Sequence, residues 1–160
     1  MHGRPRLTAV PRPARRVAAA VPLLLLAACG SAPVSVEVAP GAADPGCAEV
    51  MVALRGGAYD ELADRERRGT TSQSTAAWGD PAVLLRCGVE PLGPTTDACV
   101  DVDGVDWVLD ESGERPTFTT YGRAPAVEVS FPPDDVTGSE AVLVDLSGLV
   151  SRLPQDRECL

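Results

Sequence analysis

Lysine, asparagine and isoleucine are absent from this 160-residue chain, and its single histidine is His2. Without an imidazole or an amine in the body, there is no general base for a serine or cysteine nucleophile, no Ser–Lys pair and no Schiff-base lysine. A phosphate loop with its lysine is excluded for the same reason. What remains for catalysis is carboxylate chemistry, as in glycoside hydrolysis. The three missing residue types share AT-rich codons, which points to a high-GC bacterial source. Aromatics make up only 4% of the residues, so the core must be built from Val, Leu and Ala. A thin core of that kind is commonly reinforced by disulfides in small exported domains.

Charge and hydrophobic runs are unevenly placed. Arg4, Arg6, Arg12, Arg15 and Arg16 precede position 17, whereas all 23 acids follow position 29, so the remaining nine arginines leave a body of formal charge −14. Such a body repels phosphate backbones and anionic headgroups, which excludes nucleic acid as a partner. The basic stretch runs into an apolar segment over residues 17–28, interrupted by Pro22. That is far short of the ~20 residues a membrane span needs, and it has the anatomy of an export signal. It ends Leu26-Ala27-Ala28-Cys29-Gly30, similar to the bacterial lipobox. The similarity implies a signal peptide over residues 1–28 and lipid attachment at Cys29. Residues 29–43 are rich in Gly, Ala, Pro and Val and read as a flexible tether extending up to ~3 Å per residue. The alternation of Val34, Val36 and Val38 leaves a short edge strand as the competing reading.

Residues 44–160 read as one α+β domain: a small antiparallel β-sheet flanked by a short N-terminal and a C-terminal helix, with two disulfides. Asp44-Pro45 is an N-cap followed by proline, and Cys47, Val50, Met51 and Leu54 recur at helical spacing. The charged text over 59–68 and the hydroxyl-rich 69–75 read as solvated surface. Residues 78–88 open with a Gly79-Asp80-Pro81 turn and continue into an apolar run, the expected central strand. Asp103-Gly104 predicts a two-residue hairpin turn, with Val100, Val102, Val105, Trp107 and Leu109 on one face and Asp101, Asp106 and Asp110 on the other. Two further strands are expected over 117–121 and 126–131. Thr137 and Glu140 form a capping box ahead of a stripe of Val142, Leu143, Leu146, Leu149, Val150 and Leu153.

Four cysteines besides Cys29 (Cys47, Cys87, Cys99 and Cys159) are an even set, which in an exported domain predicts two disulfides. The pairing favoured here is Cys87–Cys99 with Cys47–Cys159. A zinc knuckle or a catalytic thiol fits poorly, because the four are dispersed and no histidine accompanies them. No metal and no cofactor is expected; the acidic run from Asp97 to Glu111 lacks the ligand order of a calcium loop. Trp78, Asp80 and Arg123 are the candidate ligand-binding residues: an aromatic platform, a turn carboxylate and a planar cation for a carboxylate or phosphate. Each also has a structural reading, Trp78 as core and Arg123 as the partner of Asp80 or another buried acid.

The combination of the lipobox, Trp-Gly-Asp-Pro (78–81), Arg-Cys-Gly (86–88), Gly-Val-Asp-Trp (104–107) and Tyr-Gly-Arg (121–123) resembles an actinobacterial family of secreted lipoproteins of unknown function. That resemblance implies export, lipidation and an actinobacterial host, and carries no activity onto any residue. The expected function is therefore a non-catalytic interaction or ligand-binding module. It would be lipid-anchored through Cys29 to the outer face of the cytoplasmic membrane, with an envelope protein or cell-wall ligand as partner. The alternative is a carboxylate-dependent hydrolase acting on envelope glycans or peptides.

Overall fold

The computed structural model describes residues 31–159; the expected signal peptide and Cys29 lie outside the described residues. Helix α1 (Pro45–Leu54) starts where Asp44 accepts from the Gly46 N–H at 2.8 Å, and it buries Cys47, Val50, Met51 and Leu54. Eight strands follow: β1 (Glu61–Leu62), β2 (Arg65–Arg68), β3 (Thr75–Trp78), β4 (Val83–Val89), β5 (Cys99–Val102), β6 (Val105–Asp110), β7 (Thr117–Thr120) and β8 (Ala126–Ser130). A 3₁₀ turn (Pro133–Gly138) leads into α2 (Ser139–Val150). The strands form one antiparallel sheet in the order β1-β2-β3-β4-β8-β7-β6-β5. The expected α+β class, with its sheet, two helices and two disulfides, is what the chain adopts.

β4 is the central strand, buried along most of its length, and the turn over 79–82 joins it to β3. Trp78 therefore closes β3 and pairs with Val83, so the expected turn is the tip of a hairpin whose second arm is the expected central strand. β5 to β8 then run as a meander whose last strand returns to β4. The connection over 90–98 must consequently cross to the far edge of the sheet. Asp103 and Gly104, at φ 49° and 76°, make the two-residue turn expected between β5 and β6. The left-handed region at both positions suits this dipeptide and matches the twist of a hairpin.

Both helices pack on one face of the sheet. There Leu54, Leu62, Trp78, Val83, Leu85, Val105, Trp107, Val127, Val129, Phe131 and Leu146 are fully buried in one cluster. Ser147 on α2 fastens the helix to β5 by donating to the Val102 carbonyl at 2.8 Å. The stripe on α2 buries as its spacing predicts, with Leu153 just beyond the helix end. The capping box does not form: the 3₁₀ turn occupies its place, Gly138 is the N-cap, and no side chain caps the helix.

Three further expectations are corrected. The charged text over 59–68 holds β1 and β2, because charged side chains suit the exposed edge of a sheet while Leu62 alone points inward and is fully buried. The segment read as tether touches the body from Val34, which forms a parallel bridge with Thr70; Val36 and Ala39 are buried, and Gly41 donates to the Gly88 carbonyl at 2.8 Å. The disulfides are Cys47–Cys87 and Cys99–Cys159, with Cα separations of 5.5 and 6.1 Å. Cys87 and Cys99 are close in sequence, but β8, β7 and β6 lie between their strands. Four strand spacings put ~19 Å between them, well beyond the reach of a disulfide. Cys87 points to the helix face, where Cys47 on α1 meets it.

Candidate functional site

The second face of the sheet is polar, and among the described residues no helix covers it. Its floor is made by alternate residues of four strands: Leu84 and Arg86 on β4, Glu128 and Ser130 on β8, Thr117 and Thr119 on β7, Val108 and Asp110 on β6. Two adjoining recesses, of about 720 and 330 Å³, share Asp110, Thr117 and Glu128. One wall is the N-terminal segment, through Ser35, Val36 and Glu37. The opposite wall is the 90–98 connection, through Glu90, Leu92 and Asp97, and the loop after β6 closes a third side with Glu111 and Ser112.

At the centre of the floor Arg86 and Glu128 face one another in register across β4 and β8. The guanidinium donates through Nε to Oε1 at 2.7 Å and through Nη2 to Oε2 at 3.0 Å. The hydrogen bond from Arg86 to Glu128 holds the guanidinium above its ordinary value, against partial desolvation. Arg115, in the smaller recess, donates to the carbonyls of Ala82 and Ser130, and burial lowers its pKa. Asp110 accepts from the Ser112 N–H at 2.8 Å, and its side-chain and backbone hydrogen bonds with Ser112 hold its carboxyl below the usual range. Thr119 is 9% exposed, lines the larger recess, and its hydroxyl makes no hydrogen bond among the described residues.

The family model described as "Protein of unknown function (DUF3515)" matches residues 14–158. The chain belongs to this family. No curated protein matches the chain, and no solved structure does. Membership in DUF3515 assigns no chemistry to the cleft, so its reading rests on geometry.

None of the three ligand-binding candidates lines either recess of this DUF3515 protein. Trp78 is fully buried, donates from Nε1 to the Tyr59 carbonyl at 2.8 Å, and carries the Arg67 guanidinium 5.4 Å above its ring. Asp80 has an 87% exposed side chain and pairs with Arg68 at 3.5 Å. An exposed pair of that kind contributes ~0–1 kcal/mol, so Asp80 is not a pillar of the fold. Arg123 does not pair with Asp80. It is buried and donates to the carbonyls of Ser151, Leu153 and Gly104 and to Gln155 Oε1, fastening the C-terminal tail to the β5–β6 turn. A planar cation with five donors can satisfy several carbonyls at once, which a carboxylate partner would have prevented.

The acidic run splits between environments. Asp97, Asp110 and Glu111 line the larger recess, Asp101 and Asp103 are exposed elsewhere, and Asp106 is buried, accepting from the Cys159 N–H at 3.0 Å. Cys99, Asp106 and Cys159 place potential ligand atoms within 4.8 Å of one another, but both sulfurs belong to the disulfide, so no thiolate is present to hold an ion.

Proposed function

We propose that this protein is a cell-envelope lipoprotein, anchored through lipid on Cys29 to the outer face of the cytoplasmic membrane of a high-GC actinobacterium. Its body is a non-catalytic ligand-binding module, and the cleft on the second sheet face is the binding site for an envelope protein or cell-wall ligand. The observation that carries the exported setting is the pairing of all four body cysteines into two disulfides, which form and persist in oxidising compartments. No helix among the described residues is long and apolar enough to cross a membrane, and lipid on Cys29 would supply the attachment. Two features support binding over hydrolysis. Both oxygens of Glu128 are engaged by Arg86, which leaves neither facing a substrate unpaired, and Asp110 is shifted below its usual range. A general acid needs the opposite shift.

Replacing Cys29 by serine tests the anchor. The variant is expected to move from the membrane fraction to the medium or to unprocessed precursor, while intact-mass analysis of wild type shows a diacylglyceryl addition at Cys29. A mature wild-type protein that begins elsewhere and carries no lipid refutes the reading.

A further inference from the structure

We infer that the larger recess takes an elongated alkylammonium ligand, with ammonium groups on the acidic rim and the methylene stem along the floor. This rests on the reading of the body as a binding module and is independent of the lipid anchor. Glu90, Asp97, Asp110, Glu111 and Glu128 line the recess, and no cation lines it. Arg86 is paired with Glu128, and Arg115, in the adjoining recess, donates to two neutral carbonyls and keeps its charge. Glu90, Asp97, Asp110 and Glu111 therefore outnumber the one uncompensated cation nearby and leave a net negative field. An uncompensated field of one sign in a concave site concentrates ligands of the other sign.

Three observations narrow the chemistry. Among the described residues, the cleft carboxylates form no group of three or more with ligand atoms within 4.8 Å of one another. Acids spread around a rim suit several separated charges rather than one metal ion, which needs convergent oxygens. Of the two carboxylates on the floor, Glu128 has its bidentate geometry taken by Arg86 and Asp110 has one oxygen taken by the Ser112 N–H, so what remains suits the point charge of an ammonium better than a planar guanidinium. Thr119 supplies the second, independent observation: a side chain nine-tenths buried in the floor, lining the recess, whose hydroxyl has no partner among the described residues. It can accept from an N–H donor on the ligand. Beside it Val89, Leu92 and Val108 offer an apolar track, the surface on which methylene stems lie while their charged heads stay in water. The hydrogen bonds from Ser112 keep Asp110 charged.

The same chemistry has two sources, a free linear polyamine or lysine side chains of a partner protein, and the test separates them. The full-length protein, isolated from its membrane fraction in neutral detergent, is titrated calorimetrically with spermidine and, separately, with tetralysine. Saturable binding of at least one probe is expected. Spermidine alone identifies a free polyamine, tetralysine alone a partner's lysines, and both together the shared ammonium chemistry. Thr119→Val should weaken binding ~2- to 10-fold, the range set by one hydrogen bond. Asp110→Asn with Glu111→Gln should weaken it ~2- to 5-fold for each charge removed. Asp101→Asn with Asp103→Asn, outside the cleft, should leave it unchanged. The inference is overturned if neither probe binds, if Thr119→Val and the rim variant bind as wild type does, or if the outside variant weakens binding as much as the rim variant. Absent binding by a correctly lipidated protein removes the ligand assignment alone; retained binding by an unlipidated protein removes the anchor alone.

Discussion

Two tryptophans with the same exposure should respond oppositely to the same substitution. Trp78 and Trp107 are both fully buried in one core cluster, so Trp→Phe removes a similar volume at each, at a cost of ~1 kcal/mol. At Trp78 the change also deletes the Nε1–H bond to the Tyr59 carbonyl at 2.8 Å, leaving an acceptor unpaired for ~1–3 kcal/mol. The Arg67 guanidinium 5.4 Å over that ring loses a further few tenths, because indole is the better cation–π partner. Trp78→Phe should therefore cost ~2–4 kcal/mol. Trp107 Nε1 is buried with no acceptor among the described residues. Removing that N–H relieves a desolvation cost of ~1–3 kcal/mol, which equals or exceeds the lost volume, so Trp107→Phe should be as stable as wild type or up to ~2 kcal/mol more stable. A domain of this size loses ~3–5 °C per kcal/mol, so a gap of ~2–6 kcal/mol should separate the two melting temperatures by ~6–30 °C. The assay is thermal unfolding of the full chain by circular dichroism, with the disulfides intact. A Trp107→Phe variant that melts as low as Trp78→Phe, or lower, refutes the argument.

Non-reducing peptide mapping should join the Cys47 peptide to the Cys87 peptide and the Cys99 peptide to the Cys159 peptide; with sequence separations of 40 and 60, each bond should contribute ~4 kcal/mol by loop closure. A Cys87–Cys99 peptide would overturn the strand order drawn here. Gly88 has φ +90°, and an added Cβ would lie 2.3 Å from the Gly41 carbonyl carbon, so Gly88→Ala should cost ~2–4 kcal/mol. It should also release the 31–43 segment to limited proteolysis, seen as early cleavage there by mass spectrometry; wild-type resistance would show that the segment is not held at this contact.

What the sequence revealed were features written in short-range code. The Asp44-Pro45 start, the 3.6-residue stripes and the Asp103-Gly104 turn each need only a few neighbouring residues, and each appears where its chemistry places it. β1 and β2 escaped because Glu and Arg dominate them, and an edge hairpin needs only Leu62 to point inward. The disulfide pairing escaped for a different reason. Whether Cys87 lies near Cys99 or near Cys47 depends on the 90–98 connection crossing three strands, and no local pattern records that crossing.

The cleft was illegible because its residues resemble ordinary solvent-facing positions. Arg86 and Glu128 are 42 residues apart and look like two unrelated surface charges until β8 returns beside β4. Thr117 and Thr119 read as the exposed half of an alternating strand, yet Thr119 is buried once walls rise on both sides. Those walls also explain the places of the two disulfides. Cys47–Cys87 closes on β4 one residue before Gly88 takes the Gly41 hydrogen bond, so it braces the N-terminal wall at its root. Cys99–Cys159 secures the tail whose Arg157 donates to the Leu92 carbonyl on the opposite wall. A thin core with few aromatics could have been cross-linked anywhere. Here each bond sits where an irregular segment becomes a wall of the cleft, and irregular segments are the parts least able to hold a fixed position through backbone pairing alone. The cross-links therefore brace the shape of the cleft as well as the stability of the domain.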